Sequence, residues 1–96
     1  IEPISNIIPE NFKLNQNYPN PFNPKTRIRF QIPNASNVKL IIFDMMGREI
    51  KVIIDENLAA GIYESEWDAG NSSSGVYFYR LITDDITLTK KMILVK

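Results

Sequence analysis

Paired carboxylates are the residues of this sequence whose type and spacing come closest to acid–base chemistry. They occur as Asp55-Glu56, as Glu64 with Glu66, and as Asp84-Asp85. Adjacent residues of a strand point to opposite faces, so neither adjacent pair converges on one substrate atom outside a turn. Glu64 and Glu66 would share a face, but alternating glutamates on a strand are typical of a solvated surface. The carboxylates therefore do not predict a glycosidase, whose two acidic groups must flank one sugar bond.

The sequence contains no histidine and no cysteine. Its serines therefore have no imidazole to activate them, and neither a disulfide framework nor a thiolate metal site is available. An oxygen-only calcium site around Asp44, Asp68 and Asn71 is conceivable, although no EF-hand spacing supports it. The glycine- and serine-rich stretch 70–75 does not match a phosphate-binding loop. We expect a protein that is not an enzyme and that needs no cofactor.

Four aromatic residues of the second half leave two interpretations open. Tyr63, Trp67, Tyr77 and Tyr79 could form a platform that stacks on sugars, as in carbohydrate-binding modules. Aromatic residues in strands more often fill the core, and we favour that interpretation.

The chain has 96 residues, of which 44% are hydrophobic and 23% charged, as in a globular domain. Basic and acidic residues number 11 each, so no net charge attracts nucleic acid. The bases concentrate between Lys25 and Lys51, and only acids occur between Asp55 and Asp68. These runs are either solvated strand faces, which we favour, or an acidic edge that docks on a basic partner. No apolar run approaches the roughly 20 residues of a transmembrane helix.

The elements that must position these residues are short strands. Apolar residues alternate with polar ones, as in 26–32, where Ile28, Phe30 and Ile32 share one face with Thr26. No stretch has a convincing helical period. The predicted strands are 12–16, 26–32, 38–43, 49–54, 62–67, 76–82 and 86–95.

About seven strands with turns at short spacing predict an immunoglobulin- or fibronectin-like antiparallel β-sandwich. The strand 38–43 is apolar on both faces from Leu40 onward, so we expect it to be central. Tyr77, Tyr79 and Leu81 are expected to point inward from 76–82, away from Arg80. The core candidates are Trp67, Tyr77, Tyr79, Phe30, Leu40 and Ile42.

Turns and linkers separate the strands. Residues 1–11, with two prolines, are expected to be a linker in which Ile4, Ile7 and Ile8 could pack, and 12–96 the domain. Residues 17–24 hold three prolines and can be neither helix nor central strand. We predict a rigid loop there, anchored by Tyr18 and Phe22. Further turns are predicted at 44–47 and 57–61.

An ordered set of motifs extends from residue 12 to residue 96. They are LNQNYPNPFNP at 14–24 with Thr26 and Ile28, IFD at 42–44, GREI at 47–50, Ala60-Gly61, Trp67-Asp68, SGVYFYRL at 74–81 and KKMILVK at 90–96. Together they resemble the type A C-terminal sorting domain of the type IX secretion system.

The resemblance implies that an upstream cargo domain reaches the periplasm of a two-membrane bacterium. The outer-membrane translocon then recognises the folded sorting domain and moves the cargo to the cell surface or the medium. A surface sortase-like protease would cut in the linker before Phe12. The implied partners are the translocon, outer-membrane shuttle and sortase proteins, and the cargo. The residues implied in recognition are Pro19, Pro21, Gly61, Lys91, Met92, Ile93, Leu94, Val95 and Lys96.

Structural roles and other functions remain open at this point. Gly61 could be a turn glycine that needs a positive φ, and 91–96 could simply be the last strand. Residues 47–81 are similar to the immunoglobulin-like domain of flagellar hook-capping scaffolds. A further alternative is an adhesion, assembly or carbohydrate-binding module, which could pack on its neighbours through a free terminal edge strand.

Overall fold

The computed structural model describes residues 1–5 and 7–96, which form two packed antiparallel sheets and, within these ranges, no helix. The predicted β-sandwich of seven strands is confirmed. The strands are β1 Lys13–Leu14, β2 Lys25–Ile32, β3 Ser36–Asp44, β4 Glu49–Leu58, β5 Gly61–Asp68, β6 Gly75–Ile82 and β7 Thr87–Leu94.

The seven strands divide into a three-stranded and a four-stranded sheet. Their orders are β1-β2-β5 and β4-β3-β6-β7. The predicted central position of β3 is therefore confirmed, because β3 pairs with both β4 and β6. The terminal strand β7 is an edge strand that pairs with β6.

Alternate side chains of each strand fill the space between the sheets. On β2, Thr26, Ile28, Phe30 and Ile32 are buried while Arg27 and Arg29 are exposed, as the period of two predicts. On β6, the inward direction predicted for Tyr77, Tyr79 and Leu81 is also confirmed. All six core candidates are buried, namely Trp67, Tyr77, Tyr79, Phe30, Leu40 and Ile42.

Burial of the aromatic residues excludes the sugar platform that the sequence left open. Tyr63, Trp67, Tyr77 and Tyr79 are at most 7% exposed. The Trp67 ring packs between Phe22 and Tyr77, with centroid distances of 5.7 and 5.6 Å. These rings hold the two sheets together and present no face to a ligand.

The strand β4 extends four residues beyond the predicted 49–54, to Leu58. Leu58 pairs with Ser36 at the start of β3. The connection from β4 to β5 therefore consists of two residues, Ala59 and Ala60. The predicted turn 57–61 is thus too long at both ends. Register shifts along β3 at Leu40/Ile41 and Ile42/Phe43 disturb the alternation of β4.

Two predicted aromatic anchors behave differently. Phe22 is buried, but Tyr18 is 79% exposed, so its assignment as an anchor was wrong. Ile4, Ile7 and Ile8 are likewise exposed and do not pack into the core. Backbone pairing places Ile4 and Ser5 beside Ile62 at the edge of β5.

At the predicted turn 44–47, the carboxylate of Asp44 accepts the N–H groups of Met46 and Arg48, both at 2.9 Å. These bonds lower the pKa of Asp44, the bond from the Arg48 N–H most of all. Gly47 has a φ of +81°, which favours glycine. Gly61, in contrast, has no positive φ. A Cβ on Gly61 would lie 3.1 Å from the Cβ of Pro3. The missing side chain of Gly61 therefore allows Pro3 to pack closely against the start of β5.

The acidic run 55–68 does not form one edge. Asp55 and Glu56 lie on β4, whereas Glu64, Glu66 and Asp68 lie on β5 in the other sheet. The β2–β5 register sets each acid of β5 opposite a base: Lys25 with Asp68, Arg27 with Glu66, and Arg29 with Glu64. The solvated-face interpretation therefore fits the structure better than a single acidic edge does.

Candidate recognition surface

The proline-rich segment between β1 and β2, residues 16–24, lies along the outer edge of β7. We call this segment the Asn-Pro loop. The Phe22 N–H donates to the Ile93 carbonyl, and the Val95 N–H donates to the Phe22 carbonyl, both at 3.0 Å. Phe22 and Leu94 thereby form a parallel bridge. The loop thus acts as a short additional strand on the edge of the four-stranded sheet.

Side chains of the same loop bind further backbone groups of β7. The Gln16 Nε2 donates to the Lys91 carbonyl at 2.7 Å, and the Asn20 Oδ1 accepts the Ile93 N–H at 3.0 Å. Edge strands with unpaired backbone groups invite pairing with other chains. From Lys91 to Val95 the edge of β7 is therefore covered, and this part of the strand is not the free edge through which an adhesion module could pack.

A buried polar cluster fixes the start of the loop. Asn17 is 2% exposed, and its N–H donates to the Tyr79 hydroxyl at 2.8 Å. The Tyr79 hydroxyl in turn donates to the Asn15 carbonyl at 2.6 Å. Burial raises the pKa of Tyr79 to about 12, so the hydroxyl stays protonated and keeps both bonds at neutral pH.

The same asparagine ties the loop to β2. The Asn17 Nδ2 donates to the Thr26 Oγ1 at 2.9 Å and to the Pro19 carbonyl at 3.1 Å. The Thr26 hydroxyl also donates to the Pro19 carbonyl, at 2.9 Å. Satisfied buried networks of this kind fix one arrangement of the backbone. The peptide bonds before Pro19, Pro21 and Pro24 are cis, and the rings of Pro19 and Pro21 are exposed.

The six C-terminal residues divide between the core and the surface. Met92 and Leu94 are buried and complete the hydrophobic core, whereas Lys91, Ile93, Val95 and Lys96 are exposed.

The last residue contacts the loop between β5 and β6. The Lys96 N–H donates to the Ser74 Oγ at 3.1 Å, and the Lys96 Nζ donates to the Gly70 carbonyl at 2.5 Å. The end of the chain is therefore held against the body of the sandwich.

The comparison with known families identifies the chain. The profile of the secretion system C-terminal sorting domain matches residues 16–96. The chain belongs to this family. It is a C-terminal sorting domain of the type IX secretion system. No curated protein and no solved structure matches the chain significantly.

The fold of the sorting domain brings together most of the recognition residues predicted from sequence. Pro19 and Pro21 lie on the Asn-Pro loop, which binds the backbone of Lys91, Ile93 and Val95. Exposed rings of the loop and exposed side chains of β7 thus adjoin one another. We call this combined area the loop–terminus surface.

Gly61 lies away from the loop–terminus surface. It begins β5, while Trp67, which contacts Phe22, is near the end of that strand. Six residues of strand correspond to about 20 Å. Gly61 is also buried, beneath Pro3 and Tyr63. A role of Gly61 in recognition stays a prediction, and the structure gives the residue a packing role.

Sequence reasoning missed the three side chains that join the loop to the terminus or to the core, Gln16, Asn17 and Asn20. The only signal was the density of amide residues among the prolines of 15–23. Asparagine beside proline predicts a turn. It does not predict pairing with a strand that lies about 70 residues later in the sequence, which is where Gln16 and Asn20 bind.

In residues 1–5 and 7–96, no three or more Asp, Glu, His or Cys side chains cluster in a way that could hold a metal ion. The same ranges contain no helix that is long and apolar enough to cross a membrane.

Proposed function

We propose that the loop–terminus surface is the part of the sorting domain that the type IX translocon binds. The translocon would carry the attached upstream cargo from the periplasm across the outer membrane to the cell surface or the medium. A surface sortase-like protease would then cut before Phe12 and release the domain.

One observation carries the proposal: the Asn-Pro loop and the C-terminal strand, two motifs far apart in sequence, are joined by direct hydrogen bonds. A translocon that serves unrelated cargoes needs a feature that only the folded sorting domain presents. A surface assembled from both motifs meets this need, because neither segment alone would present it. The exposed cations Lys91 and Lys96 add charge to an area that also presents the apolar side chains of Pro19, Pro21, Ile93 and Val95.

Export of a fusion protein tests the proposal. A periplasmic reporter with its own signal peptide is joined to this chain and expressed in a strain with a working type IX system. We expect the reporter in the medium or on the cell surface. The double variant Lys91→Gln and Lys96→Gln should leave most of the reporter in the periplasm.

A matched pair of substitutions controls for loss of charge alone. Lys39→Gln and Lys51→Gln remove two exposed lysines from β3 and β4, the two strands of the four-stranded sheet that lie farthest from β7. This control should be exported normally, and thermal melts should show that both double variants fold. Failure of the unmodified fusion to leave the periplasm would refute a sorting function. Normal export of the folded Lys91 and Lys96 variant would refute recognition through these side chains.

The alternatives from sequence receive less support. Nothing in the structure specifically favours a hook-capping scaffold. An adhesion module that pairs through its terminal strand conflicts with the covered edge of β7.

A further inference from the structure

Within residues 1–5 and 7–96, Tyr18 is the single aromatic side chain that the fold leaves in solvent. It is 79% exposed, whereas the other nine aromatic residues are buried or half-buried. Its backbone is fixed by two hydrogen bonds with Arg27. The Tyr18 N–H donates to the Arg27 carbonyl at 2.9 Å, and the Arg27 N–H donates to the Tyr18 carbonyl at 2.8 Å. A ring displayed on a fixed backbone loses little conformational entropy when a ligand covers it.

The Tyr18 ring stands between two shallow depressions on the outer side of the three-stranded sheet. One has a volume of about 370 Å³ and is lined by Asn15, Gln16, Arg29 and Glu64 as well as Tyr18 and Arg27. The lining therefore offers amide, guanidinium and carboxylate groups.

The second depression lies on the other side of the ring. It has a volume of about 280 Å³, and Pro19, Lys25, Thr26 and Glu66 contribute to its wall. Tyr18 and Arg27 belong to both depressions. An extended ligand could thus cross the ring and occupy both sides of it.

The two walls carry three cations, Lys25, Arg27 and Arg29, and two carboxylates, Glu64 and Glu66. Glu64 lies 3.0 Å from Arg29 and 3.8 Å from Arg27, and Glu66 lies opposite Arg27 in the sheet register. Asp68 lies opposite Lys25 in the same register, just outside the second wall, so each cation has an acid opposite it and little charge is left to select a strongly acidic or basic partner. Besides the ring, Pro19 is the one apolar side chain in the two walls, and it lines the second depression.

We propose that this surface, Tyr18 with its two flanking depressions, binds a neutral saccharide chain. The C–H groups on the face of a sugar ring carry partial positive charge and stack on the negative face of an aromatic ring. Hydroxyl groups of the neighbouring sugars can then form hydrogen bonds with the amide groups of the first depression and with the charged side chains of both depressions. Charge-assisted hydrogen bonds to guanidinium and carboxylate give such a site its orientation. This activity goes beyond sorting and does not depend on it.

Affinity electrophoresis of the whole chain tests the proposal, with mannan, dextran or polygalacturonate cast in native gels. We expect at least one of the two neutral polysaccharides to retard the chain. Tyr18→Ala should weaken the association constant about tenfold, which corresponds to the loss of one stacked ring. Tyr18→Phe should keep most of the binding because it retains the ring. Met46→Ala removes an equally exposed side chain from the turn after β3 and should bind as the unmodified chain does.

Several outcomes would overturn the proposal. They are retardation by neither neutral polysaccharide, equal binding of folded Tyr18→Ala, or retardation by polygalacturonate alone. The proposal would also be overturned if Tyr18→Ala loses reporter export while the unmodified chain binds no saccharide. That result would assign the ring to a protein interface, where tyrosine and arginine are enriched.

Discussion

Removal of one hydroxyl group, by Tyr79→Phe, is expected to loosen the Asn-Pro loop without changing the shape of the core. The hydroxyl accepts the N–H of Asn17 and donates to the carbonyl of Asn15, at 2.8 and 2.6 Å. Tyr79 extends from β6 in the four-stranded sheet, so these bonds connect that sheet to the chain that leads into the loop.

The expected magnitude follows from the two bonds. Each ordinary hydrogen bond contributes about 1 kcal/mol net, and a buried N–H left without an acceptor costs about 1–3 kcal/mol. Since Asn17 is buried, we expect Tyr79→Phe to lower the free energy of unfolding by about 2–3 kcal/mol at pH 7. Urea unfolding followed by tryptophan fluorescence measures this difference.

Alkaline pH provides a second test of the same hydroxyl. Burial raises the pKa of folded Tyr79 to about 12, from 10.0 in an unperturbed tyrosine. The group therefore contributes its full stabilisation below pH 10, and this contribution is lost as the pH rises through 12. Tyr79→Phe lacks this titration, so its deficit against the unmodified chain should shrink by about 1 kcal/mol between pH 7 and pH 11.

Two matched variants separate this network from a general effect of tyrosine hydroxyls. Tyr63 and Tyr77 each donate to one carbonyl, of Ala59 at 2.7 Å and of Ser73 at 2.6 Å. Tyr63→Phe and Tyr77→Phe should cost about 1 kcal/mol each. A cost below about 0.5 kcal/mol for Tyr79→Phe, or one equal to the two controls, would refute the importance of the Asn17 network.

Two further predictions concern the core and acid stability. Trp67→Ala should lower the free energy of unfolding by about 3–5 kcal/mol, because it removes the ring between Phe22 and Tyr77, and a loss below about 1 kcal/mol in denaturant melts would contradict the packing. Asp84 has a lowered pKa, chiefly because its carboxylate accepts the N–H of Asn37. Its stabilisation is thus present above about pH 4 and lost as the pH falls through its folded pKa. Asp84→Asn should show a smaller loss of stability from pH 6 to pH 2 in urea melts, and an unchanged pH dependence would contradict this role.

Local patterning was sufficient to predict most of the fold. On β2 the alternation of Ile28, Phe30 and Ile32 with polar residues identified the buried face, because one face of each sheet meets the core and the other meets water. The same period gave the inward face of β6. These predictions needed only neighbouring residues of one strand.

The errors arose where pairing partners distant in sequence decide the outcome. Tyr18 was expected to anchor the loop as Phe22 does, yet the backbone bonds of Tyr18 to Arg27 leave its ring in solvent. The end of β4 was missed because 55–57 are polar, while pairing of Leu58 with Ser36 continues the strand. Residue types predict what a segment can do, and the partner strand selects among the possibilities.

Pairing between the Asn-Pro loop and β7 also determines which experiments can locate a sorting signal. Deletion of 91–96 would remove Met92 and Leu94 from the core and expose the buried face of the loop. Loss of export after such a deletion would therefore follow equally from lost contacts and from lost folding. Lys91 and Lys96 are exposed, so their replacement by glutamine leaves the core intact. Because the Lys91 carbonyl and the Lys96 N–H are backbone groups, the substitutions also keep the bonds to Gln16 and Ser74. Lys96→Gln does remove the side-chain bond from the Lys96 Nζ to the carbonyl of exposed Gly70. Among these experiments, only the point substitutions can separate a signal carried by terminal side chains from one carried by the folded sandwich as a whole.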